Sequence, residues 1–296
     1  MDPLSTFPWP RPSGIGPFPI WTGHGFRIGT QESHLLVFDT GQSHWSPELT
    51  ALHEEEAGTN HPIDNASRKA AVHSLRRFIT AAAPIILDVG CSSGYALQEI
   101  REALPRAILI GSDYIVAPLA HLAEVMPNLP ILQFDLRRCP LPDACVDAVT
   151  ALNVLEHIDR DEEALRQIYR ILRPGGIAHI EVPAGPHLYD IYDKHLMHHR
   201  RYRLGDLTAM TQRVGFSVLK ASHLGFFVYP AFSLIKKRNQ RRMRADHPSD
   251  GAKKVKTHIR QSRGNILMQI LTGLESWLAP LTTFPIGIRC LLVLRK

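Results

Sequence analysis

The chain has 296 residues, of which 44% are hydrophobic, and a formal net charge of +6 at pH 7. This composition predicts one enlarged soluble α/β domain rather than a disordered or fibrous chain. No stretch approaches the ~20 consecutive apolar residues of a membrane span, and the first residues lack the basic and then apolar layout of a secretory signal, so we expect a protein kept inside the cell.

Residues 1–65 are predicted to form an N-terminal arm and lid. Six prolines among the first 25 residues prevent a regular helix and favour an extended arm that is poorly ordered or drapes over the domain. The segment 45–53 is typical of a capped helix start with proline in its first turn. The lid either lies near the active site or only covers a sheet edge. An amphipathic helix over 67–80 then leads into the first buried strand.

The segment 85–94 is the most informative part of the chain. An aliphatic run containing Asp88 is typical of a strand covered on both faces, and it leads directly into a turn that bears Gly90 and Gly94. Ser92 stands where the dinucleotide fingerprint G-x-G-x-x-G requires its middle glycine. A carboxylate at the strand end repels phosphate and attracts a cation. The turn therefore favours S-adenosylmethionine, which carries an ammonium and a sulfonium, over NAD or ATP.

With these residues the chain resembles the class I S-adenosylmethionine-dependent methyltransferases of the type 11-like bacterial branch. Their first motif, D-x-G-x-x-x-G, is met by Asp88, Gly90 and Gly94. The resemblance covers residues 66–223 and a last strand at 288–294. It implies a doubly wound, Rossmann-like α/β sheet of seven strands, the last one antiparallel, with S-adenosyl-L-methionine as the cofactor.

Three further predicted strands each deliver a polar residue to the same sheet edge, where open α/β sheets bind ligands. Asp113 follows the second strand at about the position of a ribose-binding carboxylate. Asp135 and Leu136 resemble the family's pair that holds the adenine amino group and packs its ring, and Asn153 ends the fourth strand. The predicted cofactor-binding residues are Asp88, Gly90, Cys91, Gly94, Asp113, Tyr114, Asp135, Leu136 and Asn153.

The loop after the fifth strand, residues 183–203, is crowded with His, Tyr, Asp and Arg, and in this fold it lies over the transferable methyl group. Transfer to a hydroxyl requires removal of a proton, and a histidine with a near-neutral pKa suits that task. His195 and His157 are the predicted catalytic residues. Arg200, Arg201 and Tyr202 are expected to fix the loop to the domain.

Neither the histidines nor the cysteines predict a metal site. His195, His198 and His199 offer no tetrahedral set with a clear fourth ligand. The cysteines have no C-x-x-C or zinc-ribbon spacing, so we expect reduced thiols and no structural metal. They are Cys91, Cys139, Cys145 and Cys290.

A basic and amphipathic insertion is predicted over 224–287, before the final core strand at 288–296. Residues 236–263 carry eleven Lys or Arg against two Asp. A solvated linker and an anionic membrane surface remain alternatives, whereas the absence of aromatic residues interleaved for base stacking argues against nucleic acid. An apolar helix follows over 266–281, and it either packs on the core, forms a dimer contact or lies in a lipid interface.

These features together predict a methyltransferase that acts on a small-molecule, saccharide or lipid-linked acceptor, most readily at oxygen. The alternatives are an N- or C-methyltransferase and a non-catalytic regulatory protein that binds S-adenosylmethionine. We expect a cytoplasmic protein, with peripheral contact at the inner face of the membrane as one alternative. The pattern makes no prediction about the oligomeric state.

Overall fold

The computed structural model describes residues 4–12, 16–38, 61–243 and 266–296. In that part of the chain, strands and helices alternate through the core. The strands are β1 Ile20–Trp21, β2 Phe26–Ile28, β3 Gln31–Ser33, β4 Leu35–Val37, β5 Ile85–Val89, β6 Ile108–Asp113, β7 Ile131–Gln133, β8 Val146–Leu152, β9 Leu172–Pro183, β10 Ser217–Leu224 and β11 Arg289–Arg295. The helices are α1 Pro62–Phe78, α2 Tyr95–Ala103, α3 Val116–Val125, α4 Asp161–Ile171, α5 Ile191–His195, α6 Leu204–Val214, α7 Tyr229–Met243 and α8 Ile266–Leu278.

The central sheet has the order β10-β11-β9-β8-β5-β6-β7-β4. The last strand, β11, runs antiparallel to both of its neighbours, and the other pairings are parallel. The predicted doubly wound sheet with an antiparallel last strand is confirmed. The predicted count of seven strands is wrong, because β4 adds an eighth: Leu36 pairs with Leu132 at the sheet edge and is fully buried.

The described parts of the N-terminal arm pack against the core. Trp9 is 1% exposed, and its indole N–H donates to the carbonyl oxygen of Leu4 at 3.0 Å. The rings of Trp9 and Trp21 each lie 4.9 Å from Phe26. Trp9, Trp21 and Phe26 belong to the same buried apolar cluster as Leu132 of the central sheet, so the described part of the arm drapes over the domain, one of the two alternatives. The predicted helix start over 45–53 lies outside the described residues, and the division of the chain at residue 65 stays a prediction.

The helix before the first core strand begins earlier than predicted. α1 starts at Pro62, which has no backbone N–H to leave unpaired in the first turn, and it ends at Phe78. Leu75 on this helix packs with Ile86 and Leu97 in a fully buried apolar cluster. α1 therefore covers the sheet beside the strand that carries Asp88.

α7 and α8 connect β10 to β11, and α8 turns its polar residues inward. Thr272 and Glu275 are buried, and the Glu275 carboxylate accepts from the backbone N–H of Gly225 at 2.6 Å. The large apolar side chains on and just after α8 are exposed: Ile266, Leu267, Ile270, Leu274, Trp277 and Leu281. Among the residues that the structure describes, no helix has the length and apolar character needed to cross a membrane.

Candidate functional site

Three predicted carboxylates lie at the carboxyl ends of three adjacent parallel strands. Asp88 pairs in register with Gly111 on β6, and Asp113 pairs with Gln133 on β7, two residues before Asp135. The parallel sheet therefore brings together side chains that are far apart in the sequence. The geometry agrees with the expected convergence at one edge of the sheet, and the assignment of these residues to a cofactor stays a prediction.

Asp88 is 2% exposed, and the Thr150 hydroxyl donates to its Oδ1 at 2.5 Å. Burial raises the pKa of Asp88 to about 7, because a desolvated carboxylate is costly. The hydrogen bond from Thr150 opposes this rise, and the nearby charge of Asp113 adds to it. A cation in the crevice would favour the ionised form of Asp88.

The glycines of the turn after β5 are required by its shape. Gly90 and Gly94 have φ values of +72° and +79°, which side chains rarely adopt. A Cβ at Gly90 would lie 2.6 Å from Val154 Cγ2, and one at Gly94 would lie 2.5 Å from Leu122 Cδ1. Cys91 is buried between them, and its backbone N–H donates to the Ser112 carbonyl oxygen at 2.9 Å.

Asp113 ties this turn to the end of β6. Its two carboxylate oxygens accept from the backbone N–H groups of Ser92 and Ile115, each at 3.0 Å. The next residue, Tyr114, is half-buried, and its carbonyl oxygen accepts from Gln133 Nε2 at 2.9 Å. A carboxylate held in place in this way can also accept from ribose hydroxyls, since each oxygen has two lone pairs.

Asp135 already has a cationic partner. The Arg137 guanidinium donates to it at distances from 2.7 to 3.1 Å, and the Arg137 backbone N–H donates at 2.9 Å. Arg137 also contacts Asp159 at 2.5 Å. An adenine amino group at Asp135 would therefore share this carboxylate with Arg137. Leu136 is 4% exposed and lies in the apolar core.

The chemistry of these residues fits S-adenosylmethionine. The ligand carries an ammonium, a sulfonium and ribose hydroxyls, and all of them suit carboxylates, which attract cations and accept hydrogen bonds. Asp88, Asp113 and Asp135 would hold it, with the glycine turn beneath. A ligand that exposes phosphates would be repelled by the same groups.

Asn153, at the end of β8, contacts an arginine that the sequence did not single out. With its amide oxygen turned toward Arg289, that oxygen accepts from both terminal nitrogens at 3.2 Å. Arg289 also donates to Ser67 Oγ and Asp64 Oδ1, each at 2.5 Å, and lies 3.9 Å from the buried Glu181. Because β11 is antiparallel, its first residue pairs with Pro183 at the end of β9. Only the sheet register reveals this cluster.

The predicted catalytic residue His157 contacts His198 rather than His195. The rings of His157 and His198 are 4.8 Å apart and nearly perpendicular. Glu156 is fully buried beside them, and burial raises its pKa to about 8. His195 lies at the end of α5, and its buried Nε2 has no hydrogen-bond partner within the described part of the chain. The sequence indicated no role for Glu156, and His198 was considered there only as a metal ligand and set aside.

The loop after β9 is fixed by a buried charge cluster around Asp193. Its carboxylate accepts from Arg201 at 2.7 Å, His198 Nδ1 at 2.9 Å and Lys236 at 3.1 Å. Burial opposes ionisation, but the His198 hydrogen bond and the charges of Lys236 and Arg201 hold the pKa of Asp193 well below its ordinary value. The expected anchoring role of Arg201 is confirmed, since it also donates to the Ala184 carbonyl oxygen at 2.9 Å.

The other two expected anchors also make the predicted contacts. Tyr202 donates to Asp161 at 2.8 Å, and Arg200 lies 2.8 Å from the same carboxylate. For the basic segment 236–263 the sequence left a solvated linker and a membrane surface as alternatives, and both are wrong for its first residue, Lys236. It is 5% exposed and joins α7 to the loop after β9.

Known proteins are similar to this chain in the same region. The model of a family described as "Methyltransferase domain" matches residues 87–180. A probable S-adenosylmethionine-dependent methyltransferase of Mycolicibacterium smegmatis is 33% identical over 135 residues, which cover 45% of this chain and 52% of that protein. A trans-aconitate 2-methyltransferase of Acidovorax is 26% identical over 132 residues, which cover 45% of this chain and 51% of that protein. The chain thus spans about half the length of these relatives.

The fold is also found among solved structures. The methyltransferase bound to the Haloferax volcanii Trm112 activator aligns with a TM-score of 0.55 and 19% identity, over 85% of this chain and 98% of that one. At this identity the likeness concerns the fold alone. Residues 87–180 thus match a methyltransferase domain, and the core of the chain is similar to S-adenosylmethionine-dependent methyltransferases in the region that carries the glycine turn and the carboxylates at the strand ends.

Proposed function

We propose that the protein is an enzyme that transfers the methyl group of S-adenosyl-L-methionine to an oxygen atom of its acceptor. The observation that carries the proposal is the set of carboxylates Asp88, Asp113 and Asp135 at the ends of adjacent parallel strands, beside a glycine turn. When bound, the cofactor supplies a methyl group on a positively charged sulfur. The residues of the chain hold the cofactor, orient the acceptor and remove the proton from the acceptor hydroxyl.

The role that we propose for each residue follows from its position in the site. Asp113 accepts from the ribose hydroxyls while the N–H groups of Ser92 and Ile115 hold it in place. Asp88 compensates the positive charge of the cofactor from below the turn. Asn153, oriented by Arg289, borders the acceptor at the end of β8. In-line transfer requires close approach and exclusion of water, and the anchored loop after β9 provides the cover.

His157 is the favoured proton acceptor, with His195 as the alternative. His157 follows β8 at the carboxyl edge of the sheet and faces the loop after β9 through His198. A hydroxyl acceptor loses its proton as its oxygen attacks carbon, and a neutral imidazole accepts it. N- or C-methylation is the alternative reaction. Analysis of the methylated product distinguishes O-, N- and C-methylation.

The acceptor class we propose is a small molecule, a saccharide or a lipid-linked compound. The related trans-aconitate 2-methyltransferase favours the first class. The exposed apolar side chains of α8 favour the lipid-linked class, because large apolar side chains turned to solvent commonly mark a binding surface.

We further propose a cytoplasmic enzyme that contacts an anionic membrane through α7 and α8. Both helices rest on one small apolar cluster, through Phe232 and Met268. Trp277 is 69% exposed on α8, and the exposed Leu234 lies beside basic residues on α7. Those basic residues are Lys237, Arg238 and Arg241. Apolar insertion and attraction of cations to anionic lipid act together in such contacts.

The test of the proposed activity uses the full chain and labelled S-adenosylmethionine. Calorimetry measures binding of S-adenosylmethionine, S-adenosylhomocysteine and, as a control, NADH. Incubation with a cellular extract and the labelled methyl donor, followed by identification of the labelled product, names the acceptor atom. Binding of NADH with no binding of the two sulfur ligands would contradict the proposal.

A further inference from the structure

Glu156 is a buried carboxylate that the proposed transfer reaction does not use. It is fully buried, and neither of its oxygens has a hydrogen-bond partner among the described residues. The backbone N–H of Glu156 itself and the charges of Arg289 and Arg201 act to lower its pKa, but neither arginine bonds to the carboxylate. A buried carboxylate normally has hydrogen bonds, a cation or a metal ion. The two oxygens of Glu156 are therefore available to a ligand.

Two histidines stand beside this carboxylate. One ligand atom from each of Glu156, His157 and His198 lies within 4.8 Å of the others. The backbone N–H of His199 donates to the Glu156 carbonyl oxygen at 2.7 Å, so the loops after β8 and β9 are tied together at this point. Bonds of about 2.0–2.1 Å to one tetrahedral ion would place ligand atoms about 3.4 Å apart. Since Asp193 holds His198, the Glu156 and His157 side chains would rotate to close that difference when an ion binds.

One of the histidines is already oriented as a metal ligand. His198 Nδ1 is 2.9 Å from Asp193 Oδ1, and Asp193 in turn accepts from Arg201 and Lys236. In a neutral imidazole whose Nδ1–H donates to a carboxylate, Nε2 carries the lone pair that binds a metal. A carboxylate behind the histidine is the usual outer partner of such a ligand. The cluster around Asp193 thus holds His198 in place.

We propose that Glu156, His157 and His198 bind one divalent first-row transition-metal ion, with further coordination positions open to water or acceptor. Two imidazoles and one carboxylate suit Zn²⁺, Co²⁺, Mn²⁺ or Fe²⁺, whereas Mg²⁺ and Ca²⁺ prefer oxygen ligands alone. This departs from the expectation drawn from the sequence, which considered only histidines close together in the chain. The three ligands come together because β8 and β9 are neighbours in the sheet.

One consequence rests on the proposed function. An ion would occupy the lone pair of His157 and lower the pKa of an acceptor hydroxyl bound to it, so the ion would replace the histidine in promoting loss of the proton. Metal binding itself does not depend on that reaction. It is measured without acceptor or cofactor, while calorimetry with S-adenosylmethionine tests the proposed function separately.

The experiment titrates the full chain, free of affinity tag and treated with chelator, with Co²⁺ followed by visible absorption and with Zn²⁺ followed by calorimetry. We expect one equivalent to bind to the wild type. Glu156→Gln and His198→Ala should each weaken metal binding at least tenfold. Asp193→Asn should weaken it about tenfold, because Asp193 does not bind the ion but orients its ligand His198. The control is His121→Ala, an exposed histidine on α3, which should bind as the wild type does.

Circular dichroism reports whether each variant folds. If one does not, electron spin-echo measurements on Cu²⁺ bound to the wild type should detect two imidazole nitrogens. Absence of stoichiometric binding by the wild type, binding by Glu156→Gln and His198→Ala at wild-type strength, or a bound ion without imidazole ligands would each overturn the proposal.

Discussion

The ammonium of Lys236 donates to Asp190 Oδ1 at 2.7 Å in an ion pair that is almost completely buried. The same nitrogen lies 3.1 Å from Asp193, so one lysine on α7 compensates two buried carboxylates in the loop after β9. Desolvation lowers the pKa of Lys236, and the charge of Arg201 lowers it further, while the carboxylates oppose both. This contact couples the segment before β11 to the loop that covers the site.

Lys236→Ala should lower the free energy of unfolding by about 3–5 kcal/mol, because removing one partner leaves buried charges without compensation. The matched control is Lys237→Ala, at the exposed neighbouring position on the same helix. It should change the free energy of unfolding by less than about 0.5 kcal/mol. Urea unfolding measures both. Equal stability of the two variants would show that the ion pair contributes little.

Asp113→Ala should weaken binding of S-adenosylmethionine by about 1.5–3 kcal/mol, the usual contribution of a hydrogen bond to a charged group. Asp135→Ala should have a smaller effect, because Arg137 already occupies that carboxylate. Calorimetry on the two variants and the wild type shows which substitution weakens S-adenosylmethionine binding more. A larger loss at Asp135 would mean that Arg137 moves away when the cofactor binds.

Asp88 should make stability depend on pH. Its pKa is about 7 in the folded protein against an ordinary value of 3.8. Between about pH 4 and pH 7 the native state therefore holds a proton that the unfolded state has lost, and its contribution to the unfolding free energy falls as the pH rises through this window.

Asp88→Asn removes this titration while keeping an oxygen acceptor for Thr150. The difference in urea midpoint between the variant and the wild type should change between pH 4.5 and pH 7.5, with the wild type losing more stability. Parallel profiles for the two proteins would contradict the raised pKa of Asp88.

His157→Ala should lower turnover by ~10²–10⁴-fold on the identified acceptor, the usual contribution of a general base. His195→Ala should have a smaller effect, because the described contacts join His157, not His195, to the Glu156 and His198 cluster. The affinity of each variant for S-adenosylmethionine, measured in parallel, shows whether the substitution also disturbs the cofactor site. A full loss with His195→Ala and none with His157→Ala would reverse the assignment.

Replacing Leu274 and Trp277 with Ser should reduce co-sedimentation with anionic vesicles about tenfold or more, since each large apolar side chain contributes about 1.5–3 kcal/mol when buried in the interface. The control is Phe18→Ser, which changes a similarly exposed aromatic residue outside α8. Added salt should weaken wild-type binding. Equal sedimentation with neutral and anionic vesicles, or none with either, would rule out the proposed contact with an anionic membrane.

The sequence alone was sufficient for the order of core strands and helices and for the acidic strand ends. Those features depend on local patterns: an aliphatic run predicts a buried strand, glycine permits the turn, and parallel strands bring Asp88, Asp113 and Asp135 to one edge whatever the details of packing. Local sequence patterns predicted β4 only weakly, because it has three residues and joins the sheet only by pairing with β7.

The tertiary structure decided which side chains meet. Asp135 binds Arg137, Glu156 lies beside His198, and Lys236 is buried although it belongs to a basic run. On α8 the helical spacing of apolar residues indicated an apolar face, but only packing decided that Glu275 turns inward and Trp277 outward. These outcomes depend on side-chain directions and on contacts between elements far apart in the chain, where desolvation and pairing of charges outweigh local preference.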